Sequence, residues 1–345
     1  MRITKFGNTT RNTGYRSSTG DNLLKTLVLS SNTQDTQAAA ELLSSGKLVA
    51  VPTETVYGLA ADATQPDAVK RIFAAKGRPA NHPLIVHIGD ISQLADWATD
   101  IPDIAYNLAA TFWPGPLTFL LRKAPHVSPV VTGGLDTIAI RMPSHPVILQ
   151  LLEQHKLAVA APSANPYKQL SPTNVNQVLK GLDGKIDAVI DGGDCLFGLE
   201  STILDLTSDD INILRAGPIT ARQISNIIQM PVGYPEHHDV SVPGNVGSHY
   251  QPKTLLRLVE NISDSLLKRD TGRRLVVLHT SEISVVDGVS SIPMPHDANQ
   301  FGAKLYRYLA EADKLNADEI WLETPPKGED WNAVNDRISR AALPI

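Results

Sequence analysis

Residues 76–90 read KGRPANHPLIVHIGD, and the order of breaker, charge and apolar run in this stretch decides the fold class. Upstream, Pro66 suits a first helical turn and Val69, Ile72 and Phe73 recur at i, i+3, i+4, so the spacing predicts a helix that Gly77 ends. Downstream, LIVHI has the composition and length of a buried strand. Between them, Pro79 holds Arg78 and Pro83 holds His82 away from helical backbone. A planar five-donor guanidinium suited to phosphate is therefore presented in a fixed direction, by a loop that loses little entropy on binding.

The alternation extends outward in both directions. From Thr26 to about residue 230 the strand candidates are TLVL, KLVAV, LIVHI, LTFLL, TIAIR, LAVAA, DAVID, STILDL and INILR. Helices are predicted at QAAAELL, DAVKRIFAA, IAYNLAATF, HPVILQLLEQH and ITARQISNIIQ. Several strands follow one another directly, which predicts an α/β domain around one twisted mixed sheet with flanking helices rather than a regular doubly wound repeat. Residues 231–253 are rich in Pro, Gly and His and read as a linker, with the HHD at 237–239 as solvated chain rather than a metal site. Beyond it, RRLVVLHTSE, an amphipathic segment from Phe301 to Ala312, EIWLE and a final helix make a smaller C-terminal αβ domain over 254–345. The polar residues 1–25 read as a mobile extension ahead of the main domain, 26–230.

Composition narrows the function. The chain has 345 residues, 42% of them hydrophobic, enough for a sizeable core, and a formal net charge of -5 gives no general affinity for nucleic acid backbones or anionic membranes. No apolar run approaches the roughly 18 residues that span a bilayer, so a soluble, cytoplasmic protein is expected. The one cysteine, Cys195, excludes an intrachain disulfide and a Cys-rich zinc site. GxxxxGK[ST], GxGxxG and HExxH are all missing, so bound phosphates would have to be held by cationic side chains and hydroxyls.

Such groups recur at strand ends. Lys76 falls in a last helical turn, where it either complements the helix dipole or faces an anion. His87 alternates with Val86 and Ile88 and is either a satisfied core histidine or a site residue. In TIAIRM, Thr137, Ala139 and Arg141 share one face and Ile138, Ile140 and Met142 the other, so Arg141 is an anion receptor or a salt-bridged sheet arginine. AVAAPSAN, LSPT and GLESTILDL add Ser163, Asn165, Ser171 and Ser201, hydroxyl and amide groups at turns where α/β clefts form.

Taken together, PTETVYGL (52–59), KGRPANHPLIVH (76–87), WPGPLT (113–118), AIRMP (139–143), APSAN (161–165), SPT (171–173), GLEST (198–202) and ILRAGPIT (213–220) resemble the threonylcarbamoyl-AMP synthase family. PGNVGSHYQP in the linker and LYRYLAEADKLNADEIWLE and DRISRAA in the tail are similar to its longer two-domain form. The resemblance implies a YrdC-like catalytic domain and a Rossmann-like C-terminal domain. It also implies an enzyme that joins L-threonine, bicarbonate or CO2, and ATP into threonylcarbamoyl-AMP and pyrophosphate, for a separate transferase complex that modifies tRNA. By motif, Thr55, His87, Arg141, Ala161 and Ser201 would line the threonine site. Arg78, His82, Thr137, Ser163, Ser171, Arg215 and Tyr250 would line the ATP site, with Lys76 and Arg78 acting on phosphate charge and Mg²⁺ bridging phosphate oxygens. Tyr250 would close over the nucleotide as part of a lid, while contact with tRNA would be weak or indirect. Two other readings are an RNA-binding or ribosome-assembly module and a carbamoyltransferase-type relative. The first calls for a basic face with interleaved aromatics, and aromatics are 5% here; the second calls for Cys-rich zinc modules that one cysteine cannot build.

Overall fold

In a computed structural model, residues 25–235, 240–244, 249–284 and 286–342 are described. The expected extension up to residue 24, the HHD at 237–239 and residues 245–248 of the linker lie outside them. Each strand candidate of the main domain forms a strand, and all join one 11-stranded sheet. Its spatial order runs Leu27–Leu29, Ala188–Ile190, Val49–Val51, Gly58–Asp62, Val159–Ala160, Ile85–His87, Thr137–Arg141, Leu117–Lys123, Thr202–Asp205 and Asn212–Arg215, with Ala98–Thr99 paired beside Leu117–Lys123. Both parallel and antiparallel pairs occur along it, so the sheet is mixed.

The opening stretch folds as its residues dictate. Pro66 starts the helix Pro66–Lys76, whose buried stripe includes Val69, Ile72 and Phe73, and Gly77 ends it in the left-handed region at φ 63°. Ile85–His87 then enters the sheet parallel to Thr137–Arg141, with His87 opposite Arg141. Val86, Ile138 and Ile140 point into the main core. On the other face Ile85, Leu120, Ala139, Ile203 and Leu214 form a small apolar floor with Val242, and His87 and Arg141 stand at its edge.

Two strands of this sheet were not among the candidates, the two-residue Ala98–Thr99 and Gly58–Asp62. Gly58–Asp62, GLAAD, has none of the β-branched residues that mark strands, yet all five residues are buried. Burial on both faces replaces propensity: Leu59 and Ala61 enter the main core and Ala60 enters the core under the neighbouring strands. Gly58 admits the close neighbour, since a Cβ there would lie 3.2 Å from that of Ala161.

The second sheet is wholly parallel, in the order Leu255–Val259, Glu319–Glu323, Leu275–His279, Val289–Pro293. Helices Ile262–Leu267, Ala298–Ala312 and Asn332–Ala341 accompany it. Its core does not stop at the sheet: Phe301, Leu305, Tyr306 and Ile338 pack in one cluster with Val56, Leu199 and Tyr250. The two sheets therefore meet through shared apolar burial beside the GLEST turn. Among the described residues no helix is long and apolar enough to cross a membrane.

Candidate active site

A cleft of about 550 Å³ opens at the ends of Ile85–His87, Thr137–Arg141 and Thr202–Asp205. Thr55, His87, Arg141, Ala161 and Ser201 line it, as do Arg78, Ser163, Arg215 and Tyr250. The parallel register that sets His87 opposite Arg141 explains why residues far apart in sequence share this wall.

Three arginines enter the cleft with different amounts of bonding capacity left. Arg141 is buried; its Nη1 donates to Thr55 Oγ1 at 3.0 Å, and Thr55 is itself fixed by Thr53 Oγ1 at 2.9 Å. Nη2 lies 2.7 Å from Glu54 Oε1 in a buried ion pair, and among the described residues Nε has no hydrogen-bond partner. It is thus a salt-bridged sheet arginine that also lines the cleft. Arg78 donates from Nη2 to Pro83 O at 2.9 Å and leaves Nε unpartnered. Burial, with a smaller contribution from Arg215, lowers it to about 10 against the opposing influence of Tyr167 and Tyr250, so it stays charged at neutral pH. Arg215 is more committed, with Nε and Nη2 on Ser201 O at 3.0 and 2.9 Å, Nη2 also on Ser201 Oγ at 3.0 Å, and Nη1 on Pro243 O at 2.9 Å.

Two imidazoles complete the wall. Burial and then the Arg141 cation push His87 down to about 3, and its Nδ1 has no hydrogen-bond partner. His249 is also pushed to about 3, mainly by burial, while Glu200 pulls the other way. Both rings are neutral at physiological pH, so neither adds charge to the cleft.

Four expected site residues do not line it. Lys76 is buried; its Nζ donates to Ser163 O and Asn165 O, each at 2.5 Å, and burial holds its pKa well below the usual range. It braces the SAN turn from behind, so its place is under the cleft wall rather than beside an open phosphate position. His82 sits partly exposed on the loop, edge-on to Tyr167 with ring centroids 5.6 Å apart. Thr137 lies at the opposite end of its strand from Arg141, paired with Arg122. Ser171 is buried, its Oγ donating to Glu200 Oε1 at 2.6 Å.

Tyr250 lines the cleft, but its ring is packed in the C-terminal core, stacked on Tyr306 at 5.6 Å and below Arg337 at 5.3 Å. Such packing differs from the free surface of a lid.

Glu54, Glu200, Tyr306 and Arg337 are additions that the motif reading passed over. Glu54 and Glu200 lie inside PTETVYGL and GLEST, where hydroxyls drew attention away from the carboxylates. Arg337 carried a signal: it shares the buried stripe Val334, Ile338, Ala341 of its helix, and a cation on an apolar stripe needs a partner.

Comparison with known proteins follows this geometry. Residues 41–217 match the Sua5, YciO and YrdC family model described as telomere recombination, and residues 219–343 match the model described as threonylcarbamoyl-AMP synthase, C-terminal domain. The threonylcarbamoyl-AMP synthase of Bacillus subtilis is 40% identical over 91% of this chain and 94% of its own length. That of Pyrococcus abyssi is 38% identical over 88% of this chain and 93% of its own. Among solved structures, P. abyssi Sua5 complexed with L-threonine superposes with a TM-score of 0.83 at 35% identity, covering 92% of this chain and 99% of that one.

Proposed function

The chain belongs to the threonylcarbamoyl-AMP synthase family, and from that premise we infer how its cleft does the work. The enzyme joins L-threonine, bicarbonate or CO2, and ATP into threonylcarbamoyl-AMP and pyrophosphate. The observation that carries the site assignment is the cleft-lining guanidinium of Arg141, whose Nε has no hydrogen-bond partner among the described residues and which is buried beside Thr55 and His87, a receptor for the carboxylate of an amino acid.

Chemistry proceeds in two bond-making steps. The threonine amine takes up the carbon of CO2 to give a carbamate, losing one proton; a carbamate oxygen then attacks the α-phosphorus in line as the bond to pyrophosphate breaks. A carbamate is a weak nucleophile, so positioning and charge neutralisation supply most of the rate. Arg141 fixes the carboxylate and hence the amine. Arg78, held in direction by Pro79 and Pro83 and still cationic, takes charge that develops on the phosphates. Thr55, Ala161 and Ser201 shape the amino acid pocket, and Ser163, Arg215 and Tyr250 face the nucleotide. His82 lies on the loop beyond Arg78 and Thr137 at the far end of its strand from the cleft, whereas Lys76 and Ser171 act through the backbone and through Glu200. Burial of the wall keeps water from the carbamate and the mixed anhydride.

Mg²⁺ prefers oxygen ligands. The described residues hold no group of three His, Cys, Asp or Glu side chains able to cage a metal, and Arg141 and Arg337 engage Glu54 and Glu200. The cleft thus fits an ion that arrives on the triphosphate, where it would neutralise phosphate charge. Action in the cytoplasm and delivery of the product to a tRNA threonylcarbamoyl transferase complex, with at most indirect contact to tRNA, complete this reading. The alternatives of an RNA-binding module and a carbamoyltransferase are not favoured, because relatives matching most of the chain are named as synthases.

The test is a pyrophosphate-release assay in which amino acids are varied one at a time, with and without bicarbonate. Release that requires both L-threonine and bicarbonate is the expected result. Release indifferent to the amino acid would overturn the reading.

A further inference from the structure

Glu200 belongs to the wall of the cleft, yet most of what holds it comes from the second domain. Its carboxylate is buried. Oε2 accepts from Arg337 Nε at 2.8 Å and from Tyr306 OH at 3.0 Å, while Oε1 accepts from Ser171 Oγ at 2.6 Å. Arg337 is fully buried, and its remaining nitrogens reach Ala216 O at 2.9 Å, Glu200 O at 3.4 Å and Asp336 Oδ2 at 2.5 Å. Side chain and backbone of Glu200 are therefore gripped together, and Ala216, which follows Arg215, is gripped with them. The next residue, Ser201, accepts the fork of Arg215 and shares a 2.7 Å bond with Thr118. Every link from Arg337 to the nucleotide-facing side of the cleft is a hydrogen bond or a peptide bond.

We propose that Arg337 and Tyr306 are positioning residues of the reaction: across the domain boundary they fix Glu200, and through it Ser171, Ser201 and Arg215, in the geometry that receives ATP. The proposal rests on the synthase reading and assigns the C-terminal domain a part in the catalytic site. Burial alone would raise the Glu200 carboxyl, but Arg337, Arg215 and the hydrogen bonds from Ser171 and Arg337 bring it down to about 2, so it stays an acceptor for all three donors. A neutral Glu200 would lose the tie to the guanidinium and free the turn ahead of Ser201. Of the residues assigned to threonine this chain of contacts includes Ser201 alone; Arg141, which holds the carboxylate, is outside it.

The test compares full-length Arg337→Met with Arg257→Met. The latter breaks another ion pair of the C-terminal domain, with Glu319 at 3.0 Å, and Arg257 is outside the cleft. Both are assayed by pyrophosphate release below their melting temperatures. Arg337→Met is expected to raise KM for ATP tenfold or more with a smaller rise in KM for threonine, Arg337→Lys to recover part of that loss, and Arg257→Met to leave both constants unchanged. If Arg337→Met does not fold, Tyr306→Phe decides, with a three- to fivefold rise in KM for ATP expected. A folded Arg337→Met, or failing that a Tyr306→Phe, with both constants within twofold of the parent overturns the proposal. An equal ATP defect in Arg257→Met would make the effect one of domain stability and overturn it too. Failure of the synthase reading would show separately, as a parent enzyme without threonine-dependent release.

Discussion

Arg141 with Glu54 and Arg337 with Glu200 are buried ion pairs of nearly equal length, 2.7 and 2.8 Å, yet they serve opposite ends. Arg337 makes four hydrogen bonds with its five N–H donors, to Glu200, Ala216 and Asp336, and it does not line the cleft. Arg141 meets Glu54 through Nη2 and Thr55 through Nη1, and among the described residues its Nε has no hydrogen-bond partner. A buried charge pair is costly to make, and its use is told by the donors left over. A nearly saturated set suits the joint proposed for Arg337, and an incomplete set suits the receptor proposed for Arg141.

The comparison breaks most easily at Arg141. Arg141→Ala is expected to cut kcat/KM for threonine about a thousandfold, the scale of removing one member of a buried hydrogen-bonded charge pair. Titration of threonine checks it, and an unchanged threonine affinity would end the receptor assignment. The same variant strands Glu54 in the interior, so stability should fall by about 3 kcal/mol. Adding Glu54→Gln should restore much of that stability and none of the threonine affinity, which separates the two losses.

Arg78 differs from both, because among the described residues it has no carboxylate partner and donates to Pro83 O. Arg78→Ala should therefore leave stability within about 1 kcal/mol and raise KM for ATP by about 10- to 100-fold, the worth of one charge-assisted contact to phosphate. Threonine affinity should not change. A variant whose threonine constant moves as far as its ATP constant would show that the two walls are not separate.

Legibility in the sequence followed the range of the interaction. Strands such as TIAIR and the helix closed by Gly77 depend on neighbours a few residues away, and their pattern stated them. GLAAD was unreadable because its strand state comes from burial on both faces, which small residues do not advertise. Lys76 was legible as a cation in a last turn, but its carbonyl partners lie 87 and 89 residues away, and without them its burial could not be foreseen. Arg337 and Glu200 are 137 residues apart, and no local spacing joins them. For Thr55, His87, Arg141, Ala161 and Ser201 the family motifs supplied what periodicity lacked; the structure brings these residues into one cleft.

The histidines beside the two pairs give the smallest effect per unit change in conditions. His87 stands by Arg141 and His249 by Glu200, and burial holds both down to about 3 from 6.5. Below pH 6.5 each takes a proton in the unfolded chain that it refuses in the folded one, so stability falls with pH from 6.5 towards 3, by about 1.4 kcal/mol per pH unit for each ring. Glu200 acts in a different window: its carboxyl is depressed from 4.5 to about 2, so its contribution is complete above pH 4.5 and is lost as pH falls through 2. Between pH 6.5 and 4.5 these two histidines can thus be read apart from Glu200. Urea unfolding at pH 6.5, 5.5 and 4.5 should show the parent losing stability faster than His87→Gln or His249→Gln, each variant shallower by close to one proton. Parallel slopes would mean that the rings are not held neutral, and that water or a carboxylate reaches walls that are otherwise closed.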